Sequence, residues 1–337
     1  MKKFLIKISF VLVPLLALCV AYPLYFVPEF TGNLGRLAQI PFGTEYDAML
    51  EKSYPPEYLV PDTLIVEDEK IRLAETPDVI TIGDSYSGMA EIGYQNYLAL
   101  RGVKVVNFVR KHAQENPVMI VSAMLNDAML DSTVCRTVIV QTGDRNCISR
   151  LQETFDDVHY QQIKLYQGAG KKRPLNLQNL CSFIRLTCGY DSPVSKYELT
   201  ETCFSHKWGN FAYCYNEDLW FQYSAPQQVE TAKTNLKVLN DRFLQKGIKL
   251  IFLICADKYD VYRPLFTDNS LPVDTLTDDF ENIPEVCVIN TKAMFQEMVK
   301  RGEKDVYFEN DSHASHIANR ATAERILAVI ARCETIP

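Results

Sequence analysis

The chain opens on an uninterrupted apolar run. After Lys2, Lys3 and Lys7, no charged residue occurs from Ile8 to Pro28. At about 1.5 Å per helical residue, roughly 20 apolar residues cross a bilayer, so residues 1–28 are predicted to form a signal anchor. Two other readings compete with it: a signal peptide cut after Ala21, and a lipoprotein box at Leu16-Ala17-Leu18-Cys19, where Leu18 is large for its position. With the lysines on the short side, the positive-inside rule puts everything from about Glu29 onward outside the cytoplasm. That means a periplasmic domain held at the membrane, or a secreted one if the signal is cleaved. Residues 29–76 carry scattered prolines and charges, including Pro55-Pro56 and Glu67-Asp68-Glu69-Lys70, and predict a linker and lead-in segment.

Beyond residue 77, short branched apolar runs alternate with stretches of helical period. Residues 78–82 form one such run ending at Gly83, which predicts a buried strand. A helix over about 89–100, a strand over 103–108, a helix over 117–130 with Pro117 near its start, and a strand over 136–141 follow. Ala232, Leu236, Leu239 and Phe243 recur at helical spacing within 229–245, and Gly247 ends that helix. Strands over 250–255 and 285–289 and a closing helix over 315–332 complete the series. Strands alternating with helices imply an α/β domain, here 77–335, with a mostly parallel sheet and functional loops at the carboxyl ends of its strands. Residues 147–226, rich in Tyr, Cys, Asn and Gln without a steady period, break the rhythm and predict an irregular insertion.

Composition narrows the function classes. A chain of 337 residues with 47% hydrophobic residues and 14 glycines has material for a large core. A net charge of -7 without a long Lys/Arg run excludes nucleic acid as a partner, because phosphate binding needs a concentrated positive face. The cysteines beyond the apolar run include three local couples, Cys135 with Cys147, Cys181 with Cys188, and Cys203 with Cys214, which an oxidising compartment would let close short loops. Cys255 sits inside an apolar run and predicts a buried thiol. No Cys-x-x-Cys pair occurs, so structural zinc is not expected.

Two short motifs carry chemistry. In Gly83-Asp84-Ser85-Tyr86-Ser87, a serine directly follows a strand and a turn, where backbone N–H groups stabilise a developing oxyanion. The alternative is that Ser85 only caps the next helix. A nucleophilic serine needs a base, and the base a carboxylate to orient it. Asp311-Ser312-His313 supplies both: residues two apart in an extended segment face the same side. His316 is the reserve base. His313 and His316 lack the Glu that a hydrolytic zinc motif requires, so neither metal nor cofactor is expected. His112, His159 and His206 read as structural.

Taken with Gly93-Tyr94-Gln95-Asn96-Tyr97-Leu98, these motifs resemble the SGNH (GDSL) hydrolase superfamily. More narrowly, the chain is similar to the branch that includes the alginate acetylation proteins, on Ile254-Cys255-Ala256-Asp257-Lys258-Tyr259-Asp260-Val261-Tyr262. The resemblance spans roughly 77–335 without the insertion. It implies an SGNH, flavodoxin-like three-layer sandwich with Ser85 as nucleophile, His313 as base and Asp311 as its orienter. It implies oxyanion donors at Gly93 and at Arg145 or Asn146, and substrate contacts at Lys258 and Tyr262. The implied activity is O-acetyl transfer to, or acetyl ester cleavage from, a cell-envelope polysaccharide, with a membrane-bound O-acyltransferase as acyl-supplying partner. The rival expectation is a catalytically silent SGNH-like protein that binds glycan or scaffolds an envelope complex. Two departures stand out. The family's Gly-x-Asn-Asp after the third strand is replaced by Gln141-Thr142-Gly143-Asp144-Arg145-Asn146. The Asp-x-His spacing is that of the alginate-type proteins, which place the pair ahead of their serine, whereas the order here is that of ordinary SGNH enzymes.

Overall fold

The structure is a computed structural model, and it describes residues 7–10, 12–14, 17, 32–38, 77–89, 92–108, 116–131, 135–160, 192–206 and 209–334. In chain order the elements are α1 (Asn33–Ala38), β1 (Val79–Ile82), α2 (Tyr94–Leu100), β2 (Val105–Asn107), α3 (Pro117–Asn126), β3 (Thr137–Gly143), α4 (Asp144–Arg150), β4 (Val194–Glu198), β5 (Phe211–Tyr215), α5 (Pro226–Gln245), β6 (Lys249–Cys255), α6 (Lys258–Tyr262), β7 (Cys287–Asn290), α7 (Lys292–Lys300) and α8 (His316–Glu334).

Five parallel strands form one sheet in the order β2-β1-β3-β6-β7. The central strands are apolar on both faces because both faces are covered. Ile80, Ile82, Val138, Val140, Leu250, Phe252 and Ile254 share one core with residues of α3, α4 and α5. The alternate positions Val79, Ile139, Ile251 and Leu253 share another with residues of α2, α6, α7 and α8. The α/β expectation with a mostly parallel sheet therefore holds. After β1 the chain first adds β2 on one side, then crosses to add β3 on the other. A crevice opens at the carboxyl ends of strands at such a reversal, and the β1 and β3 loops meet there.

Several local expectations change. The helix expected over 89–100 starts only at Tyr94, with Gly93 as its N-cap, because a tight 3-10 turn, Ser85–Gly88, comes first. Part of the expected insertion is regular: α4 continues directly from β3, and β4 and β5 form an antiparallel hairpin. Cys135 and Cys147 remain thiols. They flank the seven residues of β3, which hold them about 20 Å apart, beyond disulfide reach. Cys203 and Cys214 are also thiols. The Cys203 N–H donates to the Gly209 carbonyl before β5, whereas Cys214 pairs with Ser195 five residues further on, about 15 Å along the strand. Cys255 is buried as expected. Cys181 and Cys188 lie outside the described residues, as does most of the expected anchor. Among the described residues no helix is long and apolar enough to cross a membrane.

Candidate active site

The turn after β1 is built to project one side chain. Gly83 is obligatory, because a Cβ there would collide with Ser87 Oγ and Gln141 Oε1. Asp84 then turns inward. Its carboxylate accepts from the Tyr86 N–H at 3.1 Å, the Gly143 N–H at 2.8 Å and Arg150 Nη1 at 2.5 Å. Burial pushes the Asp84 carboxyl up, but the Arg150 charge and these donors outweigh it and hold it below the usual carboxylate range. The Asp84 N–H and the Ser87 hydroxyl both donate to Gln141 Oε1, so β1 and β3 are clamped together at their carboxyl ends. With both neighbours pinned inside, Ser85 is left exposed at the rim.

His313 reaches that serine from the other end of the chain. The Ser85 hydroxyl donates to His313 Nε2 at 2.8 Å, and His313 Nδ1–H donates to Asp311 Oδ1 at 2.5 Å. The Asp311 carboxylate also accepts from the His313 N–H at 3.1 Å and the Asn33 N–H at 2.8 Å. Burial works against ionisation of Asp311, yet the imidazole and the two backbone donors prevail and keep its carboxyl below the ordinary value. The Tyr86 ring lies 4.9 Å from the imidazole, centre to centre, and its hydroxyl donates to the Ser312 carbonyl at 3.0 Å. Tyr86 thus fixes both the ring and the loop that carries it.

Ser85 and His313 open onto a cleft of about 300 Å³ whose lining also includes Asn33, Arg145, Asn146, Arg150 and Tyr215. The oxyanion donors implied by the resemblance separate here. Gly93 is buried as the N-cap of α2 and does not line the cleft, so that expectation is corrected. Arg145 lines the cleft, but its guanidinium is held by Asp218 at 2.5 Å and Asp257 at 3.3 Å, and its N–H donates to Asp257. Its donors are committed to the scaffold. Asn146 also lines the cleft, and no described group pairs with its side-chain amide. Replacing Asn146 with Ala is expected to lower kcat for ester turnover by about 10²–10³-fold with little change in KM, the usual cost of one oxyanion donor.

The substrate contacts implied for Lys258 and Tyr262 are overturned. Both side chains are fully buried. Tyr262 accepts from the Tyr307 N–H. Lys258 Nζ donates to the carbonyls of Phe308, Glu309 and Asp311 at 2.7, 2.9 and 3.3 Å. An ammonium has three N–H groups, and all three go to the segment that presents Asp311 and His313. Burial lowers the Lys258 pKa to about 8 against the opposing pull of acidic neighbours. Lys258→Met should cost about 2–4 kcal/mol in urea unfolding, since buried carbonyls lose their donors, and should reduce kcat more than it alters KM.

His316, the reserve base, opens α8 and does not line the cleft; burial, then Arg320, lowers its pKa to about 4. His159 pairs with Asp127 and His206 with Glu309, and neither lines the cleft. Asn33 falls in the stretch expected to be linker, yet it joins the site. Its side chain exchanges hydrogen bonds with Ser312, and Leu34 N–H donates to Asn310 O. Gly32, at φ 68°, packs so tightly on Asn310 that no side chain fits. No local periodicity marks this contact, which joins residues 278 apart; only the Gly-Asn dipeptide hints at a tight turn. No family model matches the chain, and no curated protein matches it either.

Proposed function

We propose that this protein is a serine acyl-transfer enzyme of the SGNH type, an O-acetyltransferase or acetyl esterase working on a cell-envelope polysaccharide. The observation that carries the reading is the continuous chain of hydrogen bonds from an exposed Ser85 hydroxyl through His313 to a buried-side Asp311, opening on a cleft. The strand order, with its reversal at β1, supports the finer flavodoxin-like, three-layer description.

In this mechanism His313 Nε2 takes the hydroxyl proton as Ser85 Oγ bonds to the acyl carbonyl carbon. The resulting oxyanion is received by the Ser85 N–H and the Asn146 amide. His313 returns the proton to the departing alcohol oxygen, leaving an acyl-serine. An acceptor hydroxyl then gives its proton to His313 while attacking the acyl carbon, and Ser85 leaves with that proton. Water as acceptor makes an esterase, and a sugar hydroxyl makes a transferase. An open, polar cleft with the Tyr215 ring at its edge suits a carbohydrate. An extracytoplasmic position and an acyl-exporting membrane partner belong to the same proposal and rest on the N-terminal apolar run. A silent scaffold has no use for an exposed serine aligned on an imidazole.

The test is to incubate the full chain with p-nitrophenyl acetate, with and without a deacetylated oligosaccharide, and to follow nitrophenolate and acetyl-sugar together. Serine-dependent release is expected in both arms, with an acetyl adduct on the peptide containing Ser85. Neither release nor adduct would leave the glycan-binding reading standing instead.

A further inference from the structure

A second cluster of side chains lies in the same layer of loops, and the acyl-transfer chemistry makes no use of it. Asp144 is the first residue after β3, Asp260 lies on α6, and Asp274 precedes β7 in a long loop. All three are essentially inaccessible, at 0%, 2% and 1% exposed. One carboxylate oxygen from each lies within 4.8 Å of the other two. Among the described residues, no group forms a hydrogen bond with either oxygen of Asp260 or with Oδ2 of Asp274, and the Thr277 hydroxyl is the one donor beside the Asp144 carboxylate. Asp274 Oδ1 accepts from the Leu276 N–H at 2.8 Å.

Three buried carboxylates so short of donors differ from the rest of this site. Asp84 has Arg150, and Asp218 and Asp257 share Arg145. A buried charge is tolerated only when it is paired, neutralised or bound to a metal. The cation beside this cluster is Lys292, whose Nζ donates to Asp278 Oδ1 at 2.8 Å and to the Asp274 carbonyl. Lys292 is already paired with Asp278, so the three carboxylates keep a negative charge that the ammonium does not cancel and that a divalent ion offsets.

We propose that Asp144, Asp260 and Asp274 form a binding site for a hard divalent cation, calcium in preference to magnesium. The donors are all carboxylate oxygens, with no imidazole or thiolate among them, which is the choice of calcium or magnesium over zinc or copper. Calcium holds its oxygens at about 2.3–2.6 Å, so two ligands of one ion stand up to about 5 Å apart. Magnesium, at about 2.1 Å, draws them within roughly 4.2 Å. Separations of up to 4.8 Å fall within calcium's reach. The ion ties the β3–α4 junction to α6 and to the loop before β7, and so fixes the turn that presents Asn146.

Protonation is the competing way to relieve three buried acids, and it requires no metal. The full chain in detergent is stripped with EDTA, exchanged into metal-free buffer, and titrated with CaCl₂ and separately with MgCl₂ by calorimetry and thermal melting. One calcium per chain is expected, with a rise in Tm of about 5 °C when calcium exceeds Kd a hundredfold. Asp260→Asn should weaken calcium at least tenfold without lowering the Tm measured in EDTA, since it removes a repelling charge. Should Asp260→Asn fail to fold, Asp274→Asn carries the same expectation. No response to calcium in the wild-type chain, a tighter response to magnesium, or full retention of calcium binding in both variants overturns the proposal. Ester turnover has no part in these readings, so they stand or fall apart from the proposed enzyme.

Discussion

Ser85→Ala is expected to lower kcat for p-nitrophenyl acetate by about 10⁵–10⁶-fold, because nucleophile and base act as a unit and losing either removes most of what the set achieves together. What remains should reflect the Asn146 amide and the cleft alone. Stability should scarcely change. The Ser85 side chain is exposed, and the turn around it is held by Asp84, Ser87 and Gln141 rather than by the serine. The comparison is therefore clean: an unchanged urea midpoint with activity gone identifies a nucleophile, whereas a shifted midpoint with activity retained would identify a helix cap and refute the mechanism.

The second large effect is expected from Asp311→Asn, a fall in kcat of about 10⁴-fold. The carboxylate has acceptors on both sides: Oδ1 takes His313 Nδ1–H, and Oδ2 takes the Asn33 N–H. An amide offers one acceptor and one donor, so one of these contacts must fail. If the amide nitrogen faces the ring, Nδ1 becomes an acceptor, Nε2 carries the proton, and the base can no longer accept from Ser85. If it faces Asn33, two donors meet and the α1 contact opens. The variant should keep its KM within a fewfold and show its loss in kcat at every pH from 6 to 9. Wild-type Asp311 has the opposite property. Its folded pKa is held below the unfolded value, so its contribution to stability is complete above the ordinary carboxylate range and is lost only as pH falls through the depressed folded pKa. Equal kcat in Asp311→Asn and wild type would remove Asp311 from the mechanism.

The roles of individual polar residues divide by whether their partners are near in sequence. Ser85 was readable because a nucleophile's setting is local: a buried strand, a glycine turn and a short helical turn are all encoded within ten residues. The Asp311-x-His313 pair was readable for the same reason, since an extended segment puts residues two apart on one side. The parallel sheet followed from branched apolar runs, because strands covered on both faces are mostly apolar on both. Lys258 shows where such reading stops. In the sequence it stands two residues after Ala256 beside a run of aromatics and looks like a substrate contact. In the fold it is buried, and its three N–H groups serve carbonyls some 50 residues on. Gly93 and Asn146 divide in the same manner, one buried as the N-cap of α2 and the other lining the cleft.

What the sequence by itself determined was therefore the α/β class, the strand that carries Ser85, and the candidate set of Ser85, His313 and Asp311. Each depends on backbone periodicity or on neighbours within a few positions. Only the tertiary structure decided that Ser85 and His313 meet at 2.8 Å, that Asn33 closes the far side of Asp311, that Lys258 holds the loop from within, and that Cys135 stays apart from Cys147 and Cys203 from Cys214. It also brought Asp144, Asp260 and Asp274 together from α4, α6 and the loop before β7. The physical reason is common to all of these: a contact across the crevice depends on how the sheet reverses at β1 and on which groups that reversal buries, and no local pattern of residues encodes either.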